Sequence, residues 1–197
     1  NNNNNNDDED SKEQTEQKQQ HQQSSTSNHH QFDTNWKNKN MAITNNNRCV
    51  TMKGYYEGSI FLNNTISSGH HQYKFRIVQK AGYSMHIGLW RCSTDGTASE
   101  PPINTFFTNG MDQGYGYQIT HGYKSRISDG KYRDKYGVIV DEGDIIMMDI
   151  NFDEQSLIFY INNKSLGISH KIIKDDYRPA IYIYKYFNEA AIVEIVD

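Results

Sequence analysis

Few residues in this 197-residue chain are placed to do covalent chemistry. His70 and His71 are adjacent. Neighbours on a strand point to opposite faces, so the pair is a poor chelate and a zinc site would need distant partners. A solvated turn before a strand is the expected setting for both. Asp141-Glu142 and Asp153-Glu154 supply carboxylates, the groups that sandwich glycosidases aim into a cleft from neighbouring strand positions. Both pairs fall in predicted turns, where acids are ordinary surface residues. Cys49 and Cys92 are too few for a disulfide framework and read as reduced thiols. The sequence has no Gly-x-Ser-x-Gly elbow, no phosphate-binding Gly-Lys-Ser/Thr loop and no His-Glu-x-x-His motif. The expectation is a protein that is not an enzyme and uses neither cofactor nor metal.

Recognition chemistry is better supplied. Tyr and Arg join a large contact area to a hydrogen-bonding end, which makes them frequent anchors at interfaces. Tyr123-Lys124-Ser125-Arg126 and the nearby Tyr132-Arg133 interleave aromatics with cations. The plainer account is that such side chains cover sheet edges with their polar tips in water.

Charge narrows the partners. Residues 1–31 hold six acids against two lysines, and from Phe32 onward 18 acids balance 18 bases. A neutral folded part argues against nucleic acid or an anionic membrane as partner. No secretory signal and no long apolar run stands in these residues, so a cytoplasmic protein is the expectation.

The same boundary divides the chain into two parts. Residues 1–31 contain no Ala, Val, Ile, Leu, Met, Phe, Trp, Tyr or Cys, and Asn and Gln fill 14 of the 31 positions. Such a segment has no apolar surface to offset its conformational entropy, so a disordered tail is expected. Residues 32–197 carry every Phe, Tyr and Trp and are long enough for one core.

Within that part the recurring signal is short alternation of period two, cut by Gly, Asn, Asp and Ser. Tyr73, Phe75 and Ile77 share one face, as do Ile146, Met148, Ile150 and Phe152. Residues 156–161 follow after a turn at Asp153–Gln155, and Asn162-Asn163 suits a tight hairpin into a strand from Lys164. Further strands are expected at 48–53, 59–63, 85–91, 115–120, 180–185 and 190–196. Short strands with this turn chemistry predict an all-β, antiparallel two-sheet sandwich, with a closed barrel as the alternative. From Cys92 to Gln113 neither period is visible, and loops of that length are often functional.

Several of these segments together resemble the SPRY (B30.2) domain. Ile66-Ser67-Ser68-Gly69 followed by His71 to Ile77 is similar to the family's SSGxHYWEVEV segment. Ile87-Gly88 resembles IGV, Gly114-Tyr115-Gly116-Tyr117 resembles GWGY, and Tyr136-Gly137 resembles the YG step. Gly143-Asp144-Ile145-Ile146 looks like GDVI, and residues 150–167 look like LDFDEKTLSFYINGKSLG. Trp36 and residues 45–51 look like opening strands of the same domain. Tyr73 stands where the family usually has Trp, Asn151 where it has Asp, and Asn163 where it has the hairpin Gly.

The resemblance implies a bent, concanavalin-like jelly-roll sandwich, monomeric and non-catalytic, that binds a protein or peptide through loops at one end. Such domains commonly recruit substrates for ubiquitin ligases or scaffold signalling complexes. The resemblance directs attention to three loops: Lys53-Gly54-Tyr55-Tyr56, the long loop with Phe106 and Phe107, and Lys185-Tyr186-Phe187. The two phenylalanines either plug the core or meet a partner. With Tyr123 and Arg126 these are the candidate contact residues. A sugar-binding or sugar-cleaving sandwich of lectin-like architecture is the alternative function.

Overall fold

The computed structural model describes residues 30–54, 57–80, 82–92, 103, 114–125, 134–185 and 190–197. The chain enters through β1 (Phe32–Lys37), β2 (Met41–Thr44), β3 (Cys49–Met52) and β4 (Glu57–Leu62). Two long strands follow, β5 (His70–Gln79) and β6 (Ser84–Cys92), then β7 (Gly114–Gln118), β8 (Tyr123–Ser125) and β9 (Asp134–Lys135). The last five are β10 (Ile145–Asn151), β11 (Ser156–Ile161), β12 (Lys164–Lys171), β13 (Asp176–Tyr184) and β14 (Ala191–Val196).

Antiparallel pairing builds two seven-stranded sheets, β1-β4-β13-β6-β7-β8-β9 and β12-β11-β10-β5-β14-β3-β2. Neither sheet closes on itself, so the molecule is a sandwich and the barrel alternative is excluded. No helix occurs among the described residues.

The period-two pattern sets the core. Ile146, Met148 and Ile150 are buried, while Met147, Asp149 and Asn151 are half-buried on the other side of β10. Tyr73, Phe75 and Ile77 of β5 bury beside them, and Ile87, Leu89, Tyr117, Ile181 and Ile183 of the first sheet join the same cluster. Full burial of one such side chain is worth about 1.5–3 kcal/mol, which is what holds two otherwise soluble sheets face to face.

Turn chemistry fixes the register. Asn162 and Asn163 have φ of 49° and 65°, the left-handed pair of a type I′ hairpin, and Ile161 faces Lys164 across it. Asn163 therefore does what the family's glycine does. The Asn151 side chain accepts the Asp153 and Glu154 N–H groups at 3.0 and 3.1 Å, as an aspartate would. Asp141, Glu142, Asp153 and Glu154 all lie exposed in or beside turns.

Two expectations are corrected. His70 and His71 are not in a turn but open β5, because β10 is long enough to pair them with Asn151 and Ile150. Their rings diverge: His70 Nε2 lies 2.5 Å from Asp149 Oδ1, and His71 Nε2 lies 2.7 Å from the Ser68 carbonyl. Asn45, Asn46 and Asn47 do not begin a strand. All three are left-handed (φ 53°, 51° and 63°), which Asn tolerates, and they turn β2 into β3.

The Tyr136-Gly137 step ties the two sheets together. The Tyr136 hydroxyl accepts the Phe159 N–H at 3.2 Å and donates to the Gly167 carbonyl at 2.6 Å. It thereby bridges β11 and β12 where their register shifts. Gly137 must lack a side chain, since a Cβ there would meet Leu166 Cδ1 and the Tyr117 hydroxyl oxygen at 2.7 Å.

Candidate partner-binding site

One end of the first sheet presents a concentration of tyrosines. Pairing sets Glu57, Tyr184 and Ser84 side by side, at the start of β4, the end of β13 and the start of β6. The row behind them runs Ser59, Tyr182, His86, Gln118 and Tyr123. The stretch Ile181-Tyr182-Ile183-Tyr184 explains the arrangement, because alternation sends both isoleucines into the core and both tyrosines outward.

The row behind is a buried polar layer. Gln118 Nε2 donates to Ser84 Oγ at 3.0 Å, and Ser84 Oγ lies 2.9 Å from His86 Nε2. The Tyr182 hydroxyl donates to Glu57 Oε2 at 2.7 Å. Burial first, then that hydrogen bond and the carboxylate charge, push the Tyr182 phenol up, so it remains a protonated donor.

At the surface, Tyr83 is 43% exposed and packs edge-to-face on Tyr184 with centroids 5.0 Å apart. His121 stacks on half-buried Tyr123 at 6.4 Å. Rigid rings with polar tips on a hydrogen-bonded base suit recognition, because little side-chain entropy is lost on contact.

Further along the same outward face lies a second apolar cluster of Phe61, Trp90, Ala180 and Tyr182, flanked by Trp36, Cys92, Ile103 and Tyr184. Trp36, Phe61 and Trp90 meet edge-to-face with centroids 5.4–6.4 Å apart. The Arg178 guanidinium lies 4.0 Å from the Trp36 ring centroid and donates to Asp33 Oδ2 at 2.8 Å. Burial pushes the Cys92 thiol up to about 11, so it stays protonated at neutral pH. Ile103, from the long loop, packs on this cluster, and its carbonyl accepts the Ser59 N–H at 3.0 Å.

The predicted contact residues divide accordingly. Tyr123 lies on β8 in the row described. Lys185 is 1% exposed and its ammonium donates to the Met52 carbonyl at 3.4 Å. Its side chain is therefore buried and reaches the backbone of β3.

Tyr55, Tyr56, Phe106, Phe107, Arg126, Tyr186 and Phe187 lie outside the described residues. The segments carrying Tyr55-Tyr56 and Tyr186-Phe187 join β4 and β13 at the tyrosine end. Those carrying Phe106-Phe107 and Arg126 leave β6 and β8 at the opposite end.

Sequence reasoning passed over Glu57, Tyr83, His86, Gln118, Tyr182 and Tyr184. The signal was available in the tyrosines alternating with isoleucines near the end of β13. The segment was read as a strand at 180–185 without either face of its alternation.

The comparisons with known proteins agree with this architecture. The SPRY domain family matches residues 70–195, and this chain belongs to that family. No curated protein matches the sequence.

Among solved structures, the SPRY domain of human HERC1 is similar over 84% of this chain and 97% of its own, at 16% identity and a TM-score of 0.66. The TRIM65 PSpry domain is similar over 85% of this chain and 89% of its own, at 13% identity and a TM-score of 0.63. The neuralized-NHR1 domain of Drosophila melanogaster is similar over 85% of this chain and 98% of its own, at 13% identity and a TM-score of 0.59. At such identities the likeness is one of fold. SPRY domains are generally protein–protein interaction modules and typically lack catalytic activity.

Proposed function

We propose that this domain is a monomeric, non-catalytic recognition unit that binds a short peptide or a protein surface at the tyrosine end of its first sheet. The observation that carries the reading is the rim of exposed Tyr83 and His121 with half-buried Tyr184 and Tyr123, seated on buried Ser84, His86 and Gln118. Two of the three loops singled out by resemblance join their strands at that same end. A place beside ubiquitin-ligase machinery in the cytoplasm belongs to the proposal and rests on the habits of the family.

The test is affinity capture from source-cell lysate with the wild-type chain and a Tyr55→Ala, Tyr186→Ala double variant. Each tyrosine is expected to contribute on the order of 2 kcal/mol to partner binding while the fold survives. Partners retained by wild type and lost by a folded variant support the reading, and ligase subunits among them support the adaptor role. Identical captures would remove these loops from the site.

A further inference from the structure

We propose that the rim contains a subsite for a cationic side chain of the partner, an arginine in preference to a lysine, formed by Glu57, Tyr184 and Tyr83. The inference rests on the binding role proposed above and specifies the chemistry of its ligand.

Glu57 is an exposed acid at the start of β4. Its carboxylate is oriented without being neutralised, because the group that holds Oε2 at 2.7 Å is the uncharged hydroxyl of Tyr182. Among the described residues no cation forms an ion pair with it. Several lysines of the sandwich are committed elsewhere. Lys80 reaches Asp141 and the Val140 carbonyl, Lys124 the Ser169 carbonyl, and Lys185 the Met52 carbonyl.

Directly across the β4–β13 ladder from Glu57 is Tyr184, whose ring packs edge-to-face on half-open Tyr83. A carboxylate paired across a ladder with an aromatic residue can attract a cation twice, through its own charge and through the negative face of a ring. A guanidinium suits the pair better than an ammonium. It is planar, weakly hydrated and stacks on tyrosine while its fork donates to a carboxylate.

The probe is a phage-displayed library of random 12-residue peptides, selected in parallel on the full chain as wild type, Glu57→Gln and Glu57→Lys. Thermal unfolding of each variant serves as the control on folding. Gln keeps the acceptor for Tyr182 and removes only the charge.

Wild type is expected to enrich peptides with Arg or Lys at one fixed position. Glu57→Gln should lose that preference and keep the rest of the motif, and Glu57→Lys should select Asp or Glu there. In a synthetic peptide of the enriched motif, Arg→Gln should weaken binding to wild type about tenfold and to Glu57→Gln hardly at all. A motif with no cationic position, or a cation preference that survives in Glu57→Gln, overturns the subsite and leaves the binding role standing. If folded wild type enriches no peptide, both fall.

Discussion

The two sheets treat their outward faces differently. On β13 of the first sheet every residue from Tyr177 to Ile183 is buried, whereas β10 of the second alternates buried and half-buried residues. The outward face of the first sheet carries Trp36, Phe61, Trp90 and the Arg178–Asp33 pair, then the Ser84–His86–Gln118 layer. That of the second carries His70 and Gln72 on Asp149, Arg76 on Glu194, and a 60%-exposed Ile168. One is a second core with a polar shelf, and the other is a solvent face of weak charge pairs. Specific recognition needs side chains held in place before the partner arrives, and the first face holds them on a buried polar layer.

Substitutions can break this contrast. The largest effect is expected for Trp90→Ala, about 3–5 kcal/mol by urea unfolding, as for an aromatic ring removed from a core. A loss below about 1 kcal/mol would mean the outer cluster is not a core at all.

Tyr136→Phe should cost about 1–3 kcal/mol, because it leaves the Phe159 N–H and the Gly167 carbonyl without their shared partner. That variant separates loss of the link between sheets from loss of the outer cluster.

A smaller, pH-dependent effect is expected at His30, whose ring lies 4.4 Å from that of Tyr73 in the second sheet. Burial first, then the charge of Arg48, hold its pKa below the ordinary 6.5. Below that pH the unfolded chain takes up a proton that the folded chain resists. Stability should therefore be full above about 6.5 and decline as pH falls through the depressed folded value. His30→Phe should flatten the decline, and an unchanged pH profile of unfolding would remove His30 as its source.

The smallest effect is expected on the second sheet's outward face. Asp149→Asn should shift stability by no more than about 1 kcal/mol, since its partners His70 and Gln72 are exposed side chains. A cost comparable to that of Trp90→Ala would erase the contrast between the two faces.

Much of the sandwich was legible because period-two alternation is a local property. β5 and β10 bury their inward residues where the pattern put them, and Asn162-Asn163 turns as its chemistry requires. β2, β8 and β9 escaped notice, being four residues or fewer, too short to show a period. The Asn45–Asn47 turn was misplaced because an opening strand was assigned by resemblance there, where three asparagines in a row favour a turn. The candidate site was legible only in outline. Loops at one end drew attention, but Glu57, Tyr83 and Tyr184 come from three places in the chain and are neighbours only through pairing.

The sequence by itself determined the class of fold, the family, the hairpin, and the inward faces of β5 and β10, because these depend on residues a few positions apart. The tertiary structure decided which outward face is covered. Nothing local distinguishes Trp90 on β6 from Met147 on β10 as an outward residue. Burial of the former depends on β1, β4, β13 and Ile103 arriving from distant parts of the chain. It also decided that Lys185 is buried and Glu57 exposed. A charge's availability is set by what packs against it, and period two says only which way it points.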